Sequence, residues 1–136
     1  MARFDKYDPI SGGFRAPLAA DWAGALGTPI GVGLNASGRV VPGAGASGVK
    51  GVVCIDGQVN SLGARTNNKF AGDQVDVMTA GEIVDCTGLA AGTTYYINAT
   101  TGALESSAPA AGANKDVAGA TVEAQRLVVR HQRVQG

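Results

Sequence analysis

Beyond Thr28 the chain alternates short apolar runs with Gly, Asn, Asp and Thr at close intervals. The runs "PIGVGL" and "RVVP" flank "NASG", which predicts two short strands around a tight turn, with Asn35 and Gly38 suited to positive φ. "VKGVVCIDG" predicts a further strand ending in a glycine turn, and "QVNSLGARTNNKF" reads as a polar loop with its tip at Thr66-Asn67-Asn68. In "DQVDVMT", Val75 and Val77 alternate with Asp76 and Met78, the pattern of a strand with one buried and one solvated face. Ala80-Gly81 is expected to reverse the chain into "EIVDCT", and "GLAAG" to turn it again into "TTYYINA". "TTG" then leads to "ALES", "SAPAAGANKD" is a loop, and "ATVEAQRLVVRHQRV" closes the chain. Roughly eight short strands with a turn about every ten residues predict an all-β fold, a small sandwich or barrel of short antiparallel strands. Such folds must protect their edge strands, and assembly with further copies is one way to do so.

Residues 1–22 depart from this pattern. "MARFDKYDPISGGFRAPLAADW" holds Phe4, Tyr7, Phe14 and Trp22, four of the seven aromatic residues of the chain. Pro9, Pro17 and the Gly12-Gly13 pair disfavour a regular element before Pro17. A short helix over "PLAADWAGAL" is compatible with Pro at its first position. Aromatics interleaved with Arg3, Lys6 and Arg15 suggest an irregular arm made to lie on another surface; the alternative is an arm folded back on its own domain. The expected division is an arm over 1–22 and a β-domain over 23–136.

Composition narrows the functional classes. A length of 136 residues fits one domain. Glycine, at 21 residues, exceeds the ~7% average and has no collagen period, which fits a chain dense in turns. Eleven basic and eleven acidic residues cancel, so no global charge draws the chain to nucleic acid or a membrane. The charge is unevenly spread: from Asp73 to Glu123 there are seven acids and one base, Lys115, whereas Arg126, Arg130 and Arg133 follow. That asymmetry suits contact with further copies or with a charged protein surface. No apolar run reaches the ~18 residues of a membrane span, and the first residues lack the apolar core of a secretory signal. Synthesis and folding in a cytoplasm are therefore expected. Cys54 and Cys86 lack metal or redox spacing and read as buried free thiols, with a disulfide between them left open.

Reactive chemistry is sparse. "GAGASG" (43–48) matches a dinucleotide fingerprint in letters only, because a strand-like run follows it instead of a helix. "NAS" at Asn35 and "NAT" at Asn98 match a glycosylation pattern that is common by chance in such turns. His131 is the sole histidine, sits among cations in "RHQR", and reads as a surface residue. No nucleophile elbow is present. Asp73, Asp76, Glu82 and Asp85 cluster around a predicted hairpin, but without calcium-loop spacing. The expectation is a non-enzyme with no cofactor and no metal.

"VKGVVCIDG", "AGDQVDVMTAGEIVD", "AGTTYYINATTGALES" and "VEAQRLVVR" together resemble the head decoration, or capsid cement, proteins of tailed bacteriophages. "RFDKYDPISGGFRAPLAADW" is similar to the N-terminal segment of members from phages of actinobacteria. The resemblance spans nearly the whole chain and is to the broad class, without a close motif match to lambda-type members. It implies a small β-domain on the outer surface of the virion head, made in the host cytoplasm, which clamps adjacent major capsid protein subunits. It also implies a homo-oligomer, with a trimer favoured. The capsid-binding residues expected on this basis are Arg3, Phe4, Tyr7, Phe14, Arg15 and Trp22. A phage fibre-associated protein, or a receptor-binding or surface adhesion β-module, is the alternative for the same strand pattern.

Overall fold

The computed structural model describes residues 12–136. Strands β1 (Gly13–Pro17), β2 (Ile30–Leu34), β3 (Val40–Pro42), β4 (Val49–Val53), β5 (Gln58–Val59), β6 (Arg65–Thr66), β7 (Gln74–Met78), β8 (Ala80–Ile83), β9 (Thr94–Ile97), β10 (Leu104–Glu105), β11 (Asn114–Thr121) and β12 (Leu127–Gln135) make up its regular structure. One five-stranded sheet has the order β1-β7-β4-β2-β3, a second the order β10-β9-β11-β12-β8, and β5-β6 form a separate hairpin. Every strand pairing within the sheets is antiparallel. The fold is an all-β sandwich of short strands, not closed into a barrel.

Two apolar clusters hold it together. Between the sheets, Val49 and Val52 of β4 meet Tyr95, Ile97, Ala118, Leu127 and Val129 of the second sheet, with Cys86 among them. The sheets approach so closely that a Cβ on Gly31 would lie 2.2 Å from Ile97 Cγ2. The second cluster lies within the curl of the first sheet and joins Ala16, Leu18, Val32, Val40, Val53, Val75 and Val77 to Trp22 and Ile55. The curl brings the sheet's two outer strands together: Leu18 bridges Val40, and Ala19 N–H donates to Val40 O at 3.0 Å. Those outer strands both end in proline, Pro17 and Pro42, which lacks the N–H that would recruit a further strand.

The segment around residue 22 differs from expectation. Gly13–Pro17 pairs along its whole length with Gln74–Met78, no helix forms over 17–26, and Trp22 is only 5% exposed. The division at residue 22 is thus not a structural boundary; residues 13–22 belong to the β-domain. The reason is that Ala16, Leu18 and Trp22 complete a core that the other strands leave open.

Turn chemistry explains several local departures. Asn35 does not take positive φ; its side-chain carbonyl accepts from the N–H groups of Ser37 (2.9 Å) and Arg39 (3.0 Å), while Gly38 supplies φ of 78°. The 58–70 segment is not a plain loop, since β5 and β6 pair there and the tip falls at Ser61–Gly63 instead of residues 66–68. Ala80-Gly81 does not reverse the chain into a hairpin. The backbone passes at Thr79 from the first sheet to the second, where β8 pairs with β12. The closing segment is itself half of a long hairpin, turned at Glu123–Arg126 between β11 and β12.

Candidate interaction surface

Of the six residues expected to meet a partner, the three that are described, Phe14, Arg15 and Trp22, do not share one exposed surface. Arg3, Phe4 and Tyr7 lie outside the described residues. Trp22 is a core residue, with its backbone N–H on Lys69 O and Gly24 packed against its indole, so it is not an interface anchor. Phe14 is half-buried against the same core. Arg15 is exposed on β1 and pairs with Asp76 of the neighbouring β7, Nε to Oδ1 2.9 Å. Gly12 O accepts from the N–H groups of Thr79 (2.9 Å) and Ala80 (3.3 Å). The first described residue, Gly12, thus lies at the crossing between the two sheets.

The exposed apolar residues point elsewhere. Leu62 is 90% exposed and Val59 61%, both on the β5–β6 hairpin, and Phe70 on the following loop is 51% exposed. The hairpin is braced: Arg65 Nη1 donates to Asp56 Oδ1 at 2.8 Å and to Asp56 O at 2.9 Å. Its tip is ordered by Asn60, whose Oδ1 accepts from Leu62 N–H (2.9 Å) and Ala64 N–H (3.0 Å). On the second sheet Val128 is 40% exposed, and Val122 in the turn after β11 is 51% exposed. Residue type alone hides these positions, because an isolated Leu in a polar stretch is unremarkable until its turn is known.

The polar groups are mostly engaged within the chain. His131 is not a surface residue: its Nε2 lies 2.9 Å from Oδ1 of the buried Asp116, whose Oδ2 accepts from Arg133 Nη1 at 3.0 Å. The four carboxylates considered for calcium are dispersed. Asp73 Oδ2 accepts from Phe70 N–H, Asp76 pairs with Arg15, Glu82 pairs with Arg126, and Asp85 sits on a loop with φ of 57°. Among the described residues, no group of three or more His, Cys, Asp or Glu is placed to hold a metal ion. Lys115 bonds Glu105 and holds its carboxyl below the usual range, and it also donates to Ser107 O. Cys54 and Cys86 are free thiols. Burial pushes Cys54 up to about 11, with the neighbouring Cys86 adding to the effect, and burial raises Cys86 as well. The "GAGASG" run is a loop between β3 and β4, with Gly43, Gly45 and Gly48 all at positive φ, and no helix follows it. Among the described residues, the exposed groups that stand out are therefore the apolar ones on the β5–β6 hairpin and the second sheet.

The arrangement defines a class by architecture: a two-sheet antiparallel β-sandwich with a braced, projecting hairpin. That architecture has a solved counterpart. A structure from Mycobacterium phage Patience superposes with a TM-score of 0.75 over 98% of this chain and 97% of that one, at 20% sequence identity. The fold is therefore shared end to end. No protein-family profile matches the chain, and no curated protein does.

Proposed function

We propose that this protein is a structural component of a tailed-phage virion, a head decoration protein that binds the outer capsid surface and clamps adjacent major capsid subunits. The observation that carries this reading is the end-to-end match in fold to a chain from a mycobacterial phage. The step from a phage protein to a decoration protein is supported by the strand motifs of the sequence, which resemble that class. A braced sandwich whose polar groups are largely engaged internally suits a fastener, which needs rigidity and contact area more than reactive groups. In this reading Arg3, Phe4 and Tyr7 contact the capsid, and Arg15 at the foot of that segment can exchange its exposed partner Asp76 for a capsid carboxylate. Trp22 has no part in binding. The functional unit is a homo-oligomer, with a trimer favoured, since several weak attachments joined together bind far more tightly than one.

The test is co-sedimentation of the full chain, and of a chain lacking residues 1–11, with phage heads stripped of decoration. The full chain should saturate the heads at a fixed ratio to capsid protein. The shortened chain retains β1 and the whole described core, so it should melt as the full chain does and bind at least a hundredfold more weakly. A full chain that does not bind would overturn the proposal. Undiminished binding of the shortened chain would overturn the role given to Arg3, Phe4 and Tyr7.

A further inference from the structure

Lys115, Glu105 and Asn98 converge on the outer face of the second sheet from three neighbouring strands. In the pairing of β11 with β9, Asp116 lies opposite Ile97, which sets Lys115 opposite Asn98 at the next position. Ile97 points into the core, so Asn98 and Lys115 beside it point outward. On the other side of β9, Glu105 of β10 lies opposite Tyr96. The Lys115 side chain crosses β9, with its Nζ 5.8 Å from the centre of the Tyr96 ring, and reaches Oε1 of Glu105. Lys115 chiefly, with the Asn98 side chain adding to it, holds the Glu105 carboxyl below its usual range. One carboxylate thus contacts both the amine and the amide, and all three residues line the same recess of about 330 Å³.

The Asn98 side chain is held at both ends. Its Oδ1 accepts from the N–H groups of Thr100 at 2.9 Å and Thr101 at 3.1 Å. A carboxylate only accepts, so the Asn98 group that meets Glu105 is the amide nitrogen, Nδ2. The carbonyl is therefore polarised by two backbone donors, while the nitrogen rests on a group able to return a proton to it. Lys115, Glu105 and Asn98 are each half-buried, which limits the water that competes for these contacts.

We infer that Lys115 and Asn98 join in an amide bond within the folded chain, with Glu105 moving the protons. Glu105 takes a proton from the Lys115 ammonium, which frees the Nζ lone pair to attack Cγ of Asn98. The N–H groups of Thr100 and Thr101, already at Oδ1, stabilise the negative charge that develops there. Glu105 delivers its proton to Nδ2, the Cγ–Nδ2 bond breaks, and the second proton of Nζ passes out with the departing ammonia as ammonium. The step is a transfer of the Asn98 acyl group from one nitrogen to another and needs no oxidant. The strand register holds the reacting groups together, so no encounter has to be made. The resting ammonium–carboxylate pair must exchange its proton first, which makes bond formation slow beside folding. The product ties the end of β9 to β11 across β10, the outermost strand of that sheet. Such a tie suits a load-bearing chain, but the inference is independent of capsid binding.

Intact-mass spectrometry tests it on the full chain, kept folded at neutral pH for several days and then denatured. The expected result is a mass below that of the sequence by one ammonia, about 17 Da, with proteolysis releasing one branched peptide that joins Lys115 to Asn98. Lys115→Arg keeps the positive charge beside Glu105 but lacks the primary amine, and should retain the full mass. Glu105→Gln cannot take the proton from Lys115 and should form the bond at least tenfold more slowly. A parent chain that keeps its full mass would overturn the inference whatever the variants do. A loss of ammonia that persists in Lys115→Arg would overturn it as well, since it would mark a different asparagine reaction. Bond formation at the parent rate in Glu105→Gln would overturn the role given to Glu105.

Discussion

Replacing Trp22 by Ala distinguishes a core residue from an interface anchor. The side chain is 5% exposed and packs with Leu18, Val53 and Ile55 inside the curl of the first sheet. Truncating a buried Trp to Ala costs about 3–5 kcal/mol, through lost burial and the cavity left behind. For a chain of 136 residues, unfolding entropy of about 2.1 cal/mol/K per residue converts each kcal/mol into roughly 3.5 °C. Trp22→Ala should therefore lower Tm by about 10–17 °C. Trp22→Phe should lose less than half as much. It retains most of the ring, and the indole N–H has no hydrogen-bond partner among the described residues, so none is forfeited. Calorimetry of the two variants beside the parent gives both shifts. Head binding at a temperature where each variant is folded should be unchanged. A Trp22→Ala protein melting within roughly 2 °C of the parent, the range of a neutral surface change, would refute this reasoning. Lost head binding in such a protein would return Trp22 to the interface.

Further outcomes follow from other contacts. Gly31→Ala should destabilise by about 1–3 kcal/mol in urea denaturation, because its methyl would collide with Ile97 across the sandwich. His131→Ala should cost about 1.5–3 kcal/mol by the same assay, since it removes one of two charge-assisted bonds to the buried Asp116, with His131→Gln recovering part of the loss. Cys54, with its thiol at about 11 in place of 9.0, should alkylate roughly 100-fold more slowly at pH 8 in the native than in the unfolded protein. The same shift fixes a sign. The raised folded value means that the thiol's contribution is fully present below about pH 9 and declines as pH rises from 9.0 toward 11, which alkaline denaturation series on the parent and Cys54→Ala would show.

Local chemistry was legible in the residue order. Alternation in 74–78 and the apolar runs at 30–34 and 49–53 have the period and length of strands, and those strands form where the pattern places them. The Asn–Gly turn at 35–38 was equally readable, since glycine there is the one residue free to take the φ required, although the asparagine acts through its side chain. Long-range partnership was not legible. Whether β8 folds back on β7 or crosses to β12 depends on which sheet can bury Ile83 and Leu127 together, and no local pattern carries that information. Trp22 among prolines and glycines looked like part of an arm, because its burial depends on a pocket assembled from strands up to 55 residues later in the chain. The pairing of His131 with Asp116 depends likewise on a hairpin register, and the apex position of Leu62 on a turn hidden in a polar stretch. Sequence by itself determined the period, the turns and the scarcity of reactive groups, because these depend on residues a few positions apart. Tertiary structure decided which apolar residues became core and which remained as surface, because burial is settled by the packing of distant strands against one another.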